Sequence, residues 1–208
     1  MEIQFYGGNC VRITTRQASL VVDDTLKELG SKSIVRPTDI ALYTALVPEP
    51  RPDARLIIAD PGEYEVSEVS IFGIAARAHM DEPGRETATI YKLQHDDIKI
   101  VVLGHIYPDL SNDQLEELGT IDVLICPVGG NGYTLDAVGA MSLMRKIEPK
   151  IFIPTHYHDP GLNFAVPQRK LDEILKDMAI EPTERTAKYK LKPADFGETT
   201  QVIVLERV

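Results

Sequence analysis

The chain of 208 residues is 43% apolar and 26% charged, ordinary globular usage that excludes collagen-like, coiled-coil and disordered classes. Thirty-two acidic residues against 22 Lys and Arg give a formal charge of −10, which repels phosphate backbones and anionic lipid and so argues against nucleic acid or a membrane as partner. Residues 1–5 have no basic lead-in, no run nears the ~18 apolar residues of a membrane span, and Cys10 and Cys126 stand far apart; a cytoplasmic location is expected.

Short β-type runs fill the first half, at 3–6, 10–14, 19–23, 39–44, 55–59, 69–75, 87–93 and 98–103, rich in Val and Ile and bounded by Gly, Pro or Asp. Within them, Pro48-Glu49-Pro50-Arg51-Pro52-Asp53 reads as an irregular loop and Pro61-Gly62-Glu63-Tyr64-Glu65 as a turn leading into a strand. The second half changes period. Ser111-Asn112-Asp113-Gln114 is a capping box ahead of Leu115 and Leu118, with Gly119 as the stop. Ala137, Met141, Met144 and Ile147 recur at helical spacing, with Thr134 as the expected cap, and Pro167 is placed in the first turn of a third helix carrying Leu171, Ile174, Leu175 and Met178. Further strands are expected at 122–126, 151–153, 187–191 and 201–205. Strands first, then alternating helix and strand, predict a layered α/β (α+β) architecture forming a single domain over 1–208.

The chemistry rests on five histidines. His95 sits in a polar hairpin tip, Gln94-His95-Asp96-Asp97, and is expected to be solvated. His79, His105 and His156 stand just past apolar strands, where layered folds place ligand-binding side chains, and three neutral imidazoles with an open fourth position make a usable metal site. Each taken alone also reads as a strand-end histidine bonded to backbone. The loop Pro127-Val128-Gly129-Gly130-Asn131-Gly132-Tyr133-Thr134 lacks the Lys-Ser/Thr ending of a P-loop and reads as a structural turn.

Phe5-Tyr6-Gly7-Gly8-Asn9-Cys10, Pro61 to Val66, His79, Leu103-Gly104, Asp113 to Leu118, Asp122 to Gly130 and Ile153-Pro154-Thr155-His156-Tyr157 run in an order that resembles the metallo-β-lactamase fold superfamily. The closest likeness is to its bacterial lactonase-like (L-ascorbate-6-phosphate lactonase-like) zinc-dependent hydrolases. The resemblance implies a four-layer αββα sandwich with its active site along one edge of the paired sheets. It also implies a metal motif, His-x-His-x-Asp-His, after the strand at 39–44, where this chain has Ala45, Val47, Glu49 and Pro50. The bridging Asp of the family falls on His105, and the His of its opening turn on Gly8; His79 and His156 match as they stand. A neutral imidazole offers one lone pair where a carboxylate offers two oxygens and a charge, so the usual dinuclear zinc centre is not expected.

Two readings follow. In one, the fold is kept and metal chemistry lost, no cofactor is bound, and the protein acts by binding or assembly. In the other, His79, His105 and His156 form a rebuilt site for one Zn (or Mn or Fe) ion in a hydrolase of an ester, lactone or phosphoester. There Asp23, Glu49, His158 and Asp159 are the catalytic candidates, and Tyr133 and Thr134 the substrate-binding ones. Asp24 and Asp60 stand at strand ends like Asp23. Leu46, Val47 and the proline-rich loop suggest a contact surface for a homo-oligomer.

Overall fold

The computed structural model describes residues 1–208, the side chain of Asp195 excepted. Its strands and helices, in chain order, are β1 (Glu2–Gly7), β2 (Cys10–Thr14), β3 (Ser19–Val22), β4 (Ile40–Leu42), β5 (Leu56–Ile58), β6 (Gly62–Val66), β7 (Val69–Ala76), β8 (Ala88–His95), β9 (Ile98–Val102), α1 (Asn112–Leu118), β10 (Val123–Pro127), α2 (Ala137–Ile147), β11 (Ile151–Thr155), α3 (Leu171–Asp177), β12 (Glu184–Thr186), β13 (Lys188–Lys190) and β14 (Gln201–Leu205). Among the described residues these form a six-stranded sheet, β13-β1-β2-β3-β4-β5, and an eight-stranded sheet, β12-β14-β11-β10-β9-β8-β7-β6. The fold is mixed α/β with two sheets, as expected. Among the described residues, no helix is long and apolar enough to cross a membrane.

Sequence pattern explains the layering. β1 alternates, sending Ile3 and Phe5 inward, as a strand with one covered face must. β10 and β11 are parallel and buried along their whole length, because sheet packs on one face and helix on the other. Ile13, Leu20, Ile71, Val102 and Ile125 belong to the core between the sheets. Val101, Leu124 and Phe152 face the other way, onto Leu118 of α1, Leu143 of α2 and Ile174 of α3. The outer face of the six-stranded sheet is covered differently from the sandwich expected. A turn-rich segment carrying Leu26, Leu29 and Ile34, with Leu162, packs on Cys10 and Val21 there in place of a helix.

Other local expectations are corrected. The run expected at 187–191 holds β13, which joins β1, but an unexpected strand precedes it: β12 joins β14 of the other sheet, the two parting at Ala187. The Pro61–Glu65 turn is itself strand, since β6 forms a hairpin with β7. α2 is capped by Asp136, whose carboxylate accepts from Gly139 N–H, and not by Thr134. α3 begins after Lys170, well past Pro167, because Arg169 N–H donates to Gly129 O and Arg169 O accepts from His158 N–H, which keeps that stretch extended. His95 is buried, 8% exposed: the neighbouring β6–β7 hairpin covers it and brings Glu68 O to 2.8 Å from Nδ1. The capping box of α1 is present in both halves.

Candidate functional site

Parallel strands aim their C-terminal ends one way, and both sheets contain such strands: β3, β4 and β5 in one, β9, β10 and β11 in the other. Ligands gather at such ends. Asp23 follows β3, Thr44 and Ala45 follow β4, His105 follows β9, Tyr133 lies on the loop after β10, and His156 follows β11; all six line one cavity of about 440 Å³. Leu29, Leu46, Val47, Phe164 and Val166 add apolar wall, Glu28 and Glu49 add carboxylates, and Asn9, Thr25, Asn163 and Gln168 add neutral polar groups.

Its floor is a hydrogen-bond chain between the sheets. Thr155 Oγ1 donates to Asn9 Oδ1 at 2.5 Å, and Asn9 Nδ2 donates to Asp23 Oδ2 at 2.7 Å. Asp23 also accepts from Thr44 N–H and Thr44 Oγ1, each at 2.7 Å. Burial raises the pKa of Asp23 above the ordinary carboxylate value, and the bonds from Thr44 and Asn9 pull against that rise. Backbone bonds reinforce the join: His156 N–H to Gly8 O at 2.7 Å and Thr89 N–H to Thr44 O at 2.8 Å. Asp23 and His156 both lie at φ 51, a left-handed conformation that turns the chain sharply at the strand end.

Four rings meet beside this floor. His105 and His156 are edge to face with centroids 4.4 Å apart; Tyr133 lies 4.8 Å from His105 and 5.9 Å from His156, and Phe164 lies 5.1 Å from His156. Burial holds His105 neutral down to about 3, helped by the nearby His156 and His79. Burial likewise takes His156 down to about 4, against the pull of its contact with Gln168. Gly129 is required by space: a Cβ there would overlap Gln168 Oε1 and the carbonyl of His156. Within the Gly-rich loop Gly130 N–H donates to Thr134 Oγ1 at 2.7 Å, and the N–H groups of Tyr133 and Thr134 donate to Gly130 O, as in a structural turn.

The structure brings Asp23, Glu49, His105, Tyr133 and His156 together around the cavity. Thr134 is buried in the loop instead, bonded to Gly130 and Leu135. His79 lies outside the lining, its ring 6.3 Å from Tyr107, although its N–H bonds His105 O at 2.7 Å. His158 is exposed and away from the cavity, and Asp159 is engaged with Arg207 at 2.9 Å and with Gly161 N–H. Asp24 clamps a loop, accepting from Ser33 Oγ and from the N–H groups of Ile34 and Val35; Asp60 is exposed. Sequence reasoning missed the roles of Asn9, Glu28, Phe164 and Gln168. The Gly7-Gly8-Asn9 turn offered a signal for Asn9, whereas Phe164 and Gln168 lie in an aperiodic stretch that offered none.

Ala45 and Val47 carry no donor atom, and Glu49 is exposed at the cavity mouth. Among the described residues, no three or more His, Cys, Asp or Glu side chains are grouped to hold a metal ion. His79 Nδ1 and His105 Nε2 are buried with no hydrogen-bond partner among those residues.

A family profile for the β-lactamase superfamily domain matches residues 2–156. A UPF0173 metal-dependent hydrolase of Carboxydothermus hydrogenoformans is 39% identical over 44 residues, a match covering 21% of this chain and only 19% of that relative's length. The structure of a candidate Zn-dependent hydrolase of the metallo-β-lactamase superfamily from Thermotoga maritima is similar with a TM-score of 0.73 at 23% identity, covering 99% of this chain and 98% of that one. A candidate metal-dependent hydrolase from Parabacteroides distasonis gives a TM-score of 0.65 at 19% identity, covering 98% and 93%. Both structures share this fold.

Proposed function

The chain belongs to the β-lactamase superfamily, and from that premise we propose that it binds a small molecule in the sheet-edge cavity, without a dinuclear metal centre and without catalysing hydrolysis. One observation carries this reading: the cavity wall after β4 is Ala45, Leu46, Val47 and Pro48, with Glu49 at the mouth. Two bridged divalent cations need a bridging carboxylate and several imidazoles, and the residues in those places do not fit such a centre. Asp23, the carboxylate on the cavity floor, already has its oxygens engaged by Asn9 and Thr44. No catalytic step is therefore routed through a metal pair. By its motifs we place the chain beside the lactonase-like branch, as a member with a degenerate metal site.

A second reading is favoured by the unpartnered His79 Nδ1 and His105 Nε2. In it His79, His105 and His156 would hold a single ion, and the chain would be a metal-dependent hydrolase. Among the described residues no grouped donor set is present, which weighs against it.

Elemental analysis by plasma mass spectrometry, on protein purified without chelator and again after incubation with Zn, Mn or Fe and desalting, separates the two. Less than about a tenth of an equivalent is expected, since a three-histidine site should retain its ion. Near-stoichiometric metal that disappears in both His105→Ala and His156→Ala, each shown to be folded by circular dichroism, would overturn the proposal.

A further inference from the structure

Resting on that reading of the cavity, we infer that its ligand is an organic ammonium compound with a small apolar body. Three charged side chains line the cavity, Asp23, Glu28 and Glu49, all carboxylates; no Lys or Arg is among the described lining residues. Asp23 already uses its oxygens on Asn9 and Thr44, so Glu28 and Glu49, both exposed at the mouth, supply the available negative charge. A phosphate or carboxylate ligand meets repulsion from both. A neutral apolar ligand strips water from them and returns nothing, which is costly for a charged group. An ammonium group supplies the missing counter-charge.

The rings add a second, independent attraction. Tyr133 and Phe164 flank His156 at 5.9 and 5.1 Å, and Tyr133 is part-exposed. Aromatic faces attract a cation lying within about 6 Å of the ring centre. Leu29, Val47 and Val166 give the apolar body its contact surface, and a cavity of about 440 Å³ falls in the range of small-molecule sites.

Chelator-treated, desalted full-length protein is titrated calorimetrically at pH 7 with phenethylammonium, 2-phenylethanol and 3-phenylpropionate, which share a body and differ in charge. Phenethylammonium should bind best, at least about tenfold tighter than the carboxylate, because like-charge contact opposes the latter. Glu28→Gln and Glu49→Gln should each weaken it about three- to tenfold, as expected for partly screened exposed charges. Glu63→Gln, on β6 outside the cavity, should leave it unchanged. Equal or tighter binding of the carboxylate or the alcohol, unchanged affinity in both cavity variants, or no saturable heat from any probe at millimolar concentration would overturn the inference. The metal content of protein purified without chelator, measured beside the titration, keeps the two failures apart. Metal-free protein that prefers the anion refutes the ligand class alone, whereas a bound equivalent of metal refutes the reading of the cavity beneath it.

Discussion

Replacing Asp23 tests whether the cavity floor is a structural joint or a reactive group. Asp23 is 8% exposed and accepts three bonds, each of 2.7 Å, from Asn9 Nδ2, Thr44 N–H and Thr44 Oγ1. Hydrogen bonds to a charged group contribute about 1.5–3 kcal/mol each, and stranding buried donors has its own cost, part of which is offset by no longer burying a carboxylate. Asp23→Ala therefore should lose about 3–4 kcal/mol from the donors, and about 1 kcal/mol more because Ala disfavours the left-handed backbone found there. Asp23→Asn tolerates that backbone and keeps one acceptor oxygen, but turns an NH2 toward a donor; about 2 kcal/mol is expected. For a chain of this length the two should lower Tm by roughly 10–15 °C and 4–7 °C. Urea denaturation monitored by circular dichroism, with thermal scans beside it, gives both numbers. If the Asn variant is as unstable as the Ala variant, or if neither loses more than about 0.5 kcal/mol, a typical harmless surface change, the joint is not made as described.

Acid should weaken the fold through its histidines. His105 and His156 stay neutral in the folded state down to about 3 and about 4, whereas in the unfolded chain they protonate near the ordinary value of 6.5. The unfolded state thus binds more protons as pH falls below 6.5, so the stability present above that pH is lost on acidification. Between pH 7 and 4.5 the pair should lose roughly 5 kcal/mol, and His105→Gln about half as much; equal urea midpoints for the wild type at the two pH values would refute the assignment. A second probe is the ion pair Arg12–Asp39, 2.9 Å long with side chains 7% and 2% exposed. Arg12→Met should cost about 3–5 kcal/mol by stranding Asp39, and Arg12→Met with Asp39→Leu should recover most of it, so a neutral single variant in chemical denaturation would count against the argument.

How legible each part was in the sequence depends on the range of the forces that fix it. β2 and β14 coincide with the expected 10–14 and 201–205 runs, and Ser111 and Gln114 cap α1 reciprocally, because these features depend on neighbours a few residues away. His105 and His156 reach the cavity for a comparably simple reason, their place after buried parallel strands. His95 was misjudged because its cover comes from Glu68, across a second hairpin. Thr134 was misjudged because the loop claims its hydroxyl before the helix begins, and α3 starts late because Gly129 and His158 hold Arg169 from outside the segment. The acidic and aromatic character of the cavity belongs to no local motif. Glu28, Glu49, Tyr133 and Phe164 come from four separate loops and share a wall only after both sheets have closed.

The pairing of β1 with β13 sets an order on assembly. Glu2 finds its neighbour in Lys190, and Phe5 bridges to Arg207, so β1 leaves the ribosome long before the segments that pair with it there. β1 and β2 can form their hairpin early, but the outer edge of β1 stays unpaired throughout elongation, offering a row of free backbone groups to any passing strand. Asn9 and Thr155 face the same wait, since their bond spans 146 positions. The cavity is consequently one of the last features to form, and loop-closure entropy makes its appearance slow. A nascent chain stalled before residue 188 would carry an exposed sheet edge, because the partner of β1 begins at Lys188.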